Sequence, residues 1–271
     1  MNLVQLRVAQ NSARSQAFGR RVYCVEHGAR KTWIKLQLTH VNAEYERGFL
    51  NELEIYGKLN YLETPDEPIL CNFSISDIND QYQKSNNLEN IELYLNRDLC
   101  VEHAEALFLK SPFELSFAEV LIILHKSLDV LHNLHQLEFI HGDLKVEHFR
   151  LTDFGAALID FEQSCHLDDV RQMPNTATPR YMAPELFHAQ PKSLQSDLYA
   201  LGIIWLEWLT QEKLQAKSYQ DWAYLHCQNL KISLIKPFQV FEEVLELMLS
   251  KKITQRCTNI YQIKQVLSQI G

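Results

Sequence analysis

Residues 139–162 read FIHGDLKVEHFRLTDFGAALIDFE, and this stretch decides how the remainder of the chain is interpreted. Two short apolar runs, His148–Thr152 and Ala156–Ile159, lie on either side of the triplet Asp153-Phe154-Gly155. Asp and Gly favour tight turns, and the runs are short enough to form paired strands. The stretch therefore predicts a loop followed by a β-hairpin.

A carboxylate lies at each end of the predicted hairpin, Asp143 before it and Asp160 after it. Phosphoryl transfer needs one acidic group that orients an attacking hydroxyl and another that holds a metal cation. The two acids therefore suit that chemistry.

HGDLKVEH at 141–148 resembles the protein-kinase catalytic loop H-R-D-L-K-x-x-N, and IDFE at 159–162 resembles the metal-binding D-F-G motif. The literal DFG at 153–155 begins only ten residues after Asp143. In kinases the metal-binding Asp follows both hairpin strands. The resemblance therefore assigns the metal to Asp160 and the literal triplet to the turn.

Two further motifs extend the resemblance. ATPRYMAPE, which ends at Glu185, is similar to the kinase segment G-T-P-x-Y-M-A-P-E and implies an ion pair with a late arginine, here Arg256. Asp197 in SDLYALG matches the D-x-x-x-x-G helix start, which implies hydrogen bonds to the catalytic-loop backbone. Either Ser196 or Asp197 could instead be a simple helix N-cap.

The first half of the chain supplies a lysine and a glutamate that kinases pair. Lys31–Leu38 predicts a strand in which Trp33-Ile34-Lys35 resembles V-A-I-K. Glu44–Leu62 predicts a helix from its apolar spacing. Glu52 matches the family's partner for the lysine, and Glu54 is the weaker candidate because its two-residue offset turns it about 200° around the helix.

The segment Asn11–Gly19, between strand patterns at 3–9 and 20–26, corresponds to the phosphate-covering loop of kinases. The family pattern has three glycines there, and only Gly19 is present. The resemblance also places Val22, on the following strand, beside the nucleotide. Arginine side chains could contact phosphate instead: Arg14, Arg20 or Arg21.

Residues 69–78 and Ile91–Leu95 predict two more strands. The kinase hinge, where backbone groups meet adenine, then falls at Tyr94–Arg97 by its order along the chain. The resemblance therefore makes Tyr94 and Leu95 nucleotide contacts.

These elements predict an α+β, bilobal, protein-kinase-like fold. Residues 1–96 form the smaller, β-rich lobe with one main helix, and residues 97–271 form the larger, mostly helical lobe. A long helix begins at Ser116 and leads into the catalytic loop. The resemblance covers about residues 5–268.

The resemblance implies ATP as phosphoryl donor and Mg²⁺ or Mn²⁺ as metal. Asp143 would orient the acceptor hydroxyl, Lys145 would steady the transferring group, and Lys35 would hold the donor's phosphates. His141 is the structural histidine of the catalytic loop. Thr178 would contact Asp143, which favours a serine or threonine acceptor in a protein over tyrosine.

Three departures from the kinase pattern affect this interpretation. Gly142 replaces the arginine that would bind a phosphorylated activation loop, so phosphorylation there is not expected to be the switch. His148 stands where Asn binds a second metal, and Mg²⁺ prefers oxygen ligands. Glu162 replaces the DFG glycine, and serves either as a surrogate metal ligand or as a restriction on the segment's motion.

Composition excludes several other classes. A net charge of −8 over 271 residues argues against a general nucleic-acid surface. The six cysteines are scattered without a C-x-x-C pair, which favours reduced thiols in the cytoplasm over zinc or disulfides. The most apolar run, Tyr199–Leu209, is too short to span a bilayer.

Two alternatives remain open beside an active Ser/Thr protein kinase. One is a pseudokinase, a binding module in which the changed glycine loop and metal positions blunt catalysis. The other is a small-molecule kinase, because H-G-D and I-D-F-E also resemble sugar and lipopolysaccharide-core kinases. Oligomeric state stays undetermined by the sequence.

Overall fold

The computed structural model describes residues 7–8, 16–27, 30–62, 68–78, 93–172 and 176–270. The chain divides into two compact units, Met1–Tyr61 with Leu70–Ala104 and Leu62–Ile69 with Glu105–Gly271. The first is dominated by strands and the second by helices, which confirms the α+β prediction.

The first unit is built on a five-stranded antiparallel sheet with strand order β1-β2-β3-β5-β4. Its strands are β1 (Arg7–Val8), β2 (Arg20–His27), β3 (Arg30–Gln37), β4 (Phe73–Asp77) and β5 (Arg97–Glu102). The sheet buries Val25, Ile34 and Leu36 in a common core.

One long helix, α1 (Ala43–Leu62), belongs to the first unit and matches the sequence prediction closely. The Asn42 side chain accepts from the backbone N–H groups of Glu44 and Tyr45, each at 3.0 Å, and so satisfies donors at the helix start. The buried face of α1 includes Phe49, Leu53, Tyr56 and Leu59, at the spacing the sequence indicates.

The last strand of the first unit corrects the sequence prediction. β5 lies at Arg97–Glu102 and pairs with both β3 and β4. Of the strand predicted at Ile91–Leu95 the structure describes residues 93–95, which form a bridge between Tyr94 and Leu38. The charged residues of β5 do not give the apolar pattern by which a strand is recognised in a sequence. One of them, Asp98, is nevertheless fully buried and accepts from the backbone N–H of Ser76 at 3.0 Å. Because β5 is central to the sheet, the first unit extends to residue 104, beyond the predicted boundary at 96.

The second unit is mainly helical. Its helices are α2 (Phe117–Gln136), α3 (Pro184–Phe187), α4 (Leu194–Thr210), α5 (Tyr219–Tyr224), α6 (Glu242–Leu249) and α7 (Ile260–Ile270). α4 is buried on all sides over most of its length, as expected of a helix at the centre of a core. α2 begins with a capping box between Ser116 and Glu119, at the predicted start. Among the described helices, none has the length and apolar character needed to cross a membrane.

Short strands complete the second unit. They are β6 (Glu105–Ala106), β7 (Phe139–Ile140), β8 (Phe149–Thr152), β9 (Gly155–Leu158) and β10 (Cys165–His166). β8 and β9 form the predicted hairpin, with Phe149 opposite Leu158. Asp153 and Phe154 form its exposed turn, so the literal DFG triplet is a turn and the hairpin prediction is confirmed.

Candidate functional site

Asp197, in the first turn of α4, anchors the loop that follows β7. Its carboxylate is buried and accepts from the backbone N–H groups of His141 at 2.8 Å and Gly142 at 2.9 Å. His135 donates to it from Nε2 at 3.1 Å. Burial alone would raise the pKa of Asp197, but the hydrogen bond and charge of His135 outweigh it and lower the pKa. The loop predicted to be catalytic is thus held on a buried, ionised carboxylate.

The start of α4 also decides the N-cap alternative. The N-cap is Ser193, whose hydroxyl accepts from the backbone of Ser196 while the Ser196 side chain accepts from Ser193. Ser196 is therefore a capping residue, and Asp197 is not. His135 has its hydrogen-bond partner in the core.

Asp143 lies between two donors in the second unit. The backbone N–H of Thr178 donates to its Oδ1 at 2.7 Å, and the Lys145 ammonium lies 3.1 Å from its Oδ2. Burial would lower the pKa of Lys145, but the carboxylates of Asp143 and Asp160 raise it above its ordinary value. The structure therefore brings together the three residues predicted to be catalytic, with Thr178 contacting Asp143 through its backbone.

Asp160 follows the hairpin with a left-handed backbone, φ +68°. A non-glycine residue in this region costs on the order of 1 kcal/mol or more, and such strain is typical of functional positions. Nε2 of the buried His148 lies 3.2 Å from its Oδ2. Because a carboxylate only accepts, the stable arrangement places the His148 proton on Nε2. The contact favours His148 as a partner of Asp160 over His148 as a metal ligand.

His141 lies beside this pair and is fully buried. Its Nε2 donates to the carbonyl of Ile159 at 3.1 Å, and its ring centroid is 5.4 Å from that of His148. Burial, together with the neighbouring imidazole, lowers the pKa of His141 to about 4. A neutral His141 thus supports the backbone just before Asp160. Glu162, two residues further on, is half-buried.

Glu185 and Arg256 form the predicted ion pair. Their side chains are 4% and 0% exposed, and two parallel contacts of 2.7 and 2.8 Å join the guanidinium to the carboxylate. Bidentate pairs of this kind fix orientation as well as charge. The end of the ATPRYMAPE segment is therefore tied to the loop before α7.

Within the first unit, Lys35 and Glu52 form the other predicted pair. Lys35 Nζ donates to Glu52 Oε2 at 2.7 Å, and Val22 lies opposite Lys35 in the β2–β3 register. Glu54 pairs instead with Lys58 on the exposed face of α1 at 2.7 Å. The geometry agrees with Glu52, and not Glu54, as the partner of the lysine.

Gly19 precedes β2 with φ +91° and packs closely against Gln37. A Cβ at residue 19 would lie 2.7 Å from Gln37 Nε2, which donates to the carbonyl of Phe18 at 3.0 Å. The retained glycine is thus required by conformation and by space.

The nearby arginines engage the protein itself. Buried Arg20 donates to Gln37 Oε1 at 3.0 Å and lies 3.8 Å from Glu52, while Arg21 donates to the carbonyl of Gln16 at 2.8 Å. The sequence suggested phosphate as a partner for these side chains, and gave no signal that Arg20 reaches Glu52. Arg14 lies outside the described residues.

Tyr94 and Leu95 are placed differently from the sequence expectation. They precede β5, whereas the hinge was expected after the last strand of the sheet. They line a cavity of about 560 Å³ with Leu50 and Leu53 of α1. Since β5 ends at Glu102, the segment that corresponds in order to the hinge begins at residue 103.

Comparison with known proteins supports the motif-based interpretation. The profile described as "Protein kinase domain" matches residues 18–269. The chain is 30% identical to the Wee1-like protein kinase of Arabidopsis thaliana over 117 residues, 42% of this chain and 23% of that protein. It is 31% identical to Death-associated protein kinase 2 of Mus musculus over 103 residues, 36% of this chain and 28% of that protein.

A third similar protein, from Caenorhabditis elegans, carries a tyrosine-protein kinase name and is 29% identical over 150 residues, 53% of this chain and 44% of that protein. The matched part thus spans less than half the length of each of these relatives.

Proposed function

The chain belongs to the protein kinase family, and from this we propose that it transfers the γ-phosphoryl group of ATP to a serine or threonine hydroxyl of a protein. The observation that carries the proposal is the arrangement around Asp143. Its two oxygens face the Thr178 N–H at 2.7 Å and the Lys145 ammonium at 3.1 Å. A carboxylate held from two sides is suited to orient a hydroxyl.

In the proposed reaction Asp143 accepts the proton of the acceptor hydroxyl. The hydroxyl oxygen forms a bond to the γ-phosphorus as the bond to the ADP oxygen breaks, so ADP leaves with the displaced electron pair. Lys145 neutralises charge on the transferring group. Electrostatic stabilisation of this kind supplies most of the rate enhancement in kinases. Lys35, held by Glu52, is proposed to bind the phosphates of the donor.

Asp160 is proposed as the magnesium ligand. Its carboxylate offers the hard oxygen donor that Mg²⁺ prefers, and its strained backbone fixes the direction of that donor. A bound Mg²⁺ would neutralise phosphate charge and favour departure of ADP. His148 Nε2 lies against Oδ2 of Asp160 and orients the carboxylate.

Thr178 and the segment to Glu185 support a protein acceptor. The segment is tied down at one end by the Thr178–Asp143 hydrogen bond and at the other by the buried Glu185–Arg256 pair. A fixed stretch of backbone beside the carboxylate suits an extended peptide better than a small molecule. The proposal also places the protein in the cytoplasm, since all six cysteines are free thiols.

The test is a transfer assay with radiolabelled ATP, magnesium and casein on the wild type and three variants. Asp143→Asn and Asp160→Asn should each lower transfer by at least about a hundredfold, because each removes a group that acts in the transition state. Asp153→Asn is the matched control, since Asp153 lies in the exposed turn of the literal DFG. Loss of transfer in the control, or its retention in Asp160→Asn, would contradict the assignment.

A binding module without catalysis is the second candidate, and the 3.2 Å His148–Asp160 contact favours it because the imidazole occupies one side of the metal-binding carboxylate. Transfer that is absent from the wild type with Mg²⁺ and with Mn²⁺, while ATP still raises the unfolding temperature, would select this candidate.

Hydrolysing the labelled product identifies the acceptor. Phosphoserine or phosphothreonine supports the proposal, and phosphotyrosine or a labelled sugar contradicts it.

A further inference from the structure

Lys192 is a buried cation that the sequence motifs do not explain. It lies between α3 and α4 and is only 4% exposed. Burial lowers the pKa of Lys192, and the carboxylates of Asp143 and Asp197 partly offset that effect. A buried ammonium is costly unless protein groups replace its water, so its partners indicate why it is there.

The partners of Lys192 belong to the segment from Asp160 to Glu185, here called the activation segment. Its Nζ donates to the carbonyl of Gln163 at 3.4 Å and to the Gln163 side-chain oxygen at 3.3 Å. The same side-chain oxygen accepts from the Thr176 hydroxyl at 2.9 Å. The Gln163 side-chain oxygen thus contacts both Lys192 and Thr176, and it links the ammonium to two parts of the activation segment.

Gly142 makes room for this arrangement. Its φ is +77°, and a Cβ there would lie 2.4 Å from the carbonyl oxygen of Gln163 and 3.0 Å from both Cδ and Nζ of Lys192. The Gln163 carbonyl and the left-handed φ therefore exclude a side chain at residue 142, and the Lys192 side chain packs beside the space that a Cβ would take. Gly142 and Lys192 are structurally complementary.

The position of the ammonium also explains its charge. The Lys192 ammonium lies beside the Gly142 backbone and the start of the activation segment. Its amine reaches Gln163 on one side, while the carboxylates of Asp143 and Asp197 favour its charged form on the other. A lysine of the protein thus lies beside the position at which Gly142 replaces the family's phosphate-binding arginine.

We propose that Lys192 is a positioning residue that holds the activation segment against the catalytic loop without phosphorylation of that segment. The consequence of this inference, a kinase whose activation segment is always held in place for the acceptor, rests on the proposed function. The contact itself can be measured whether or not phosphate is transferred.

The test is hydrogen–deuterium exchange on protein shown by mass spectrometry to carry no phosphate. Lys192→Met keeps most of the aliphatic stem and removes the ammonium. It should speed exchange of peptides spanning residues 163–172 and 176–183 by about tenfold, the loss expected for a hydrogen bond to a charged group. Exposed Lys213→Met is the matched control and should leave exchange unchanged.

Gln163→Leu keeps the proposal testable if Lys192→Met does not fold, because it removes the side-chain oxygen that joins Lys192 to Thr176. It should speed exchange at residues 176–178 by about fivefold. Unchanged exchange in the activation segment of Lys192→Met overturns the proposal. If Lys192→Met does not fold, unchanged exchange in Gln163→Leu does so.

Transfer measurements separate this inference from the proposed function. Phosphatase-treated wild type should transfer phosphate to casein as fast as untreated protein, and Lys192→Met should show a lower kcat with little change in the KM for ATP. Activity that disappears on phosphatase treatment overturns the inference. If no wild-type sample transfers phosphate, the proposed function fails, and the exchange data still decide the role of Lys192.

Discussion

Removal of the Arg256 guanidinium is expected to be among the most destabilising single changes in the second unit. The guanidinium makes both contacts to Glu185, donates to the carbonyls of Ser250 at 3.1 Å and Gln195 at 3.0 Å, and lies 4.8 Å from the ring of Tyr199. In Arg256→Met the stem volume is kept, but Glu185 remains buried without its counter-charge. Breaking a buried pair in this way costs about 3–5 kcal/mol.

The corresponding fall in melting temperature follows from the size of the chain. An unfolding entropy of about 2.1 cal/mol/K per residue gives about 0.6 kcal/mol/K for 271 residues. A loss of about 4 kcal/mol therefore lowers the melting temperature by about 7 °C. Scanning calorimetry and urea unfolding followed by circular dichroism both measure it.

Two variants control for this prediction. Lys58→Met breaks the exposed pair with Glu54, whose side chains are 43% and 61% exposed, and should cost less than about 0.5 kcal/mol. Glu185→Leu combined with Arg256→Met removes both buried charges and should recover part of the loss. An Arg256→Met protein as stable as Lys58→Met would refute the view that the pair anchors the activation segment.

Three further outcomes are expected. Glu52→Gln should lower casein phosphorylation by about a hundredfold in the radiolabel assay, because Lys35 loses the carboxylate that holds it at 2.7 Å. Burial lowers the pKa of His226 to about 4, so between pH 6.5 and about 4 the unfolded chain binds a proton that the folded chain does not. The free energy of unfolding should therefore fall by up to about 3 kcal/mol as the pH is lowered through that window, and urea titrations of His226→Gln should show a shallower fall. His148→Asn should lower the Mg²⁺ concentration needed for half-maximal transfer, because an amide oxygen replaces the imidazole against Asp160; an unchanged metal titration would contradict this reasoning.

Ion pairs between motif residues were predictable from the sequence, because the family pattern gives each of these residues a partner. The sequence alone allowed Lys35 to be matched with Glu52 and Glu185 with Arg256. The hairpin followed from turn residues between short apolar runs. Such inferences need only order and spacing along the chain. They do not depend on how the remaining side chains pack.

Elements whose polarity conflicts with their location were not predictable. β5 contains Arg97, Asp98 and Glu102, and reads as a loop because nothing in the sequence indicates that Asp98 is buried and hydrogen-bonded. Lys192 belongs to none of the sequence motifs, and Arg20 was interpreted as a candidate phosphate contact. In each case tertiary contacts supply partners that a linear pattern cannot contain.

The departures from the kinase pattern bear on whether the site is catalytically active. Had the motif positions simply decayed, the changed residues would be expected to leave gaps or buried charges without partners. Instead, the space beside Gly142 is filled by Lys192, and His148 lies against Asp160. Each of these two changes is accompanied by a specific contact. The Lys192 contact favours a kinase with an altered mode of activation, whereas the His148–Asp160 contact favours a scaffold without catalysis. The Asp143→Asn and Lys192→Met measurements distinguish the two.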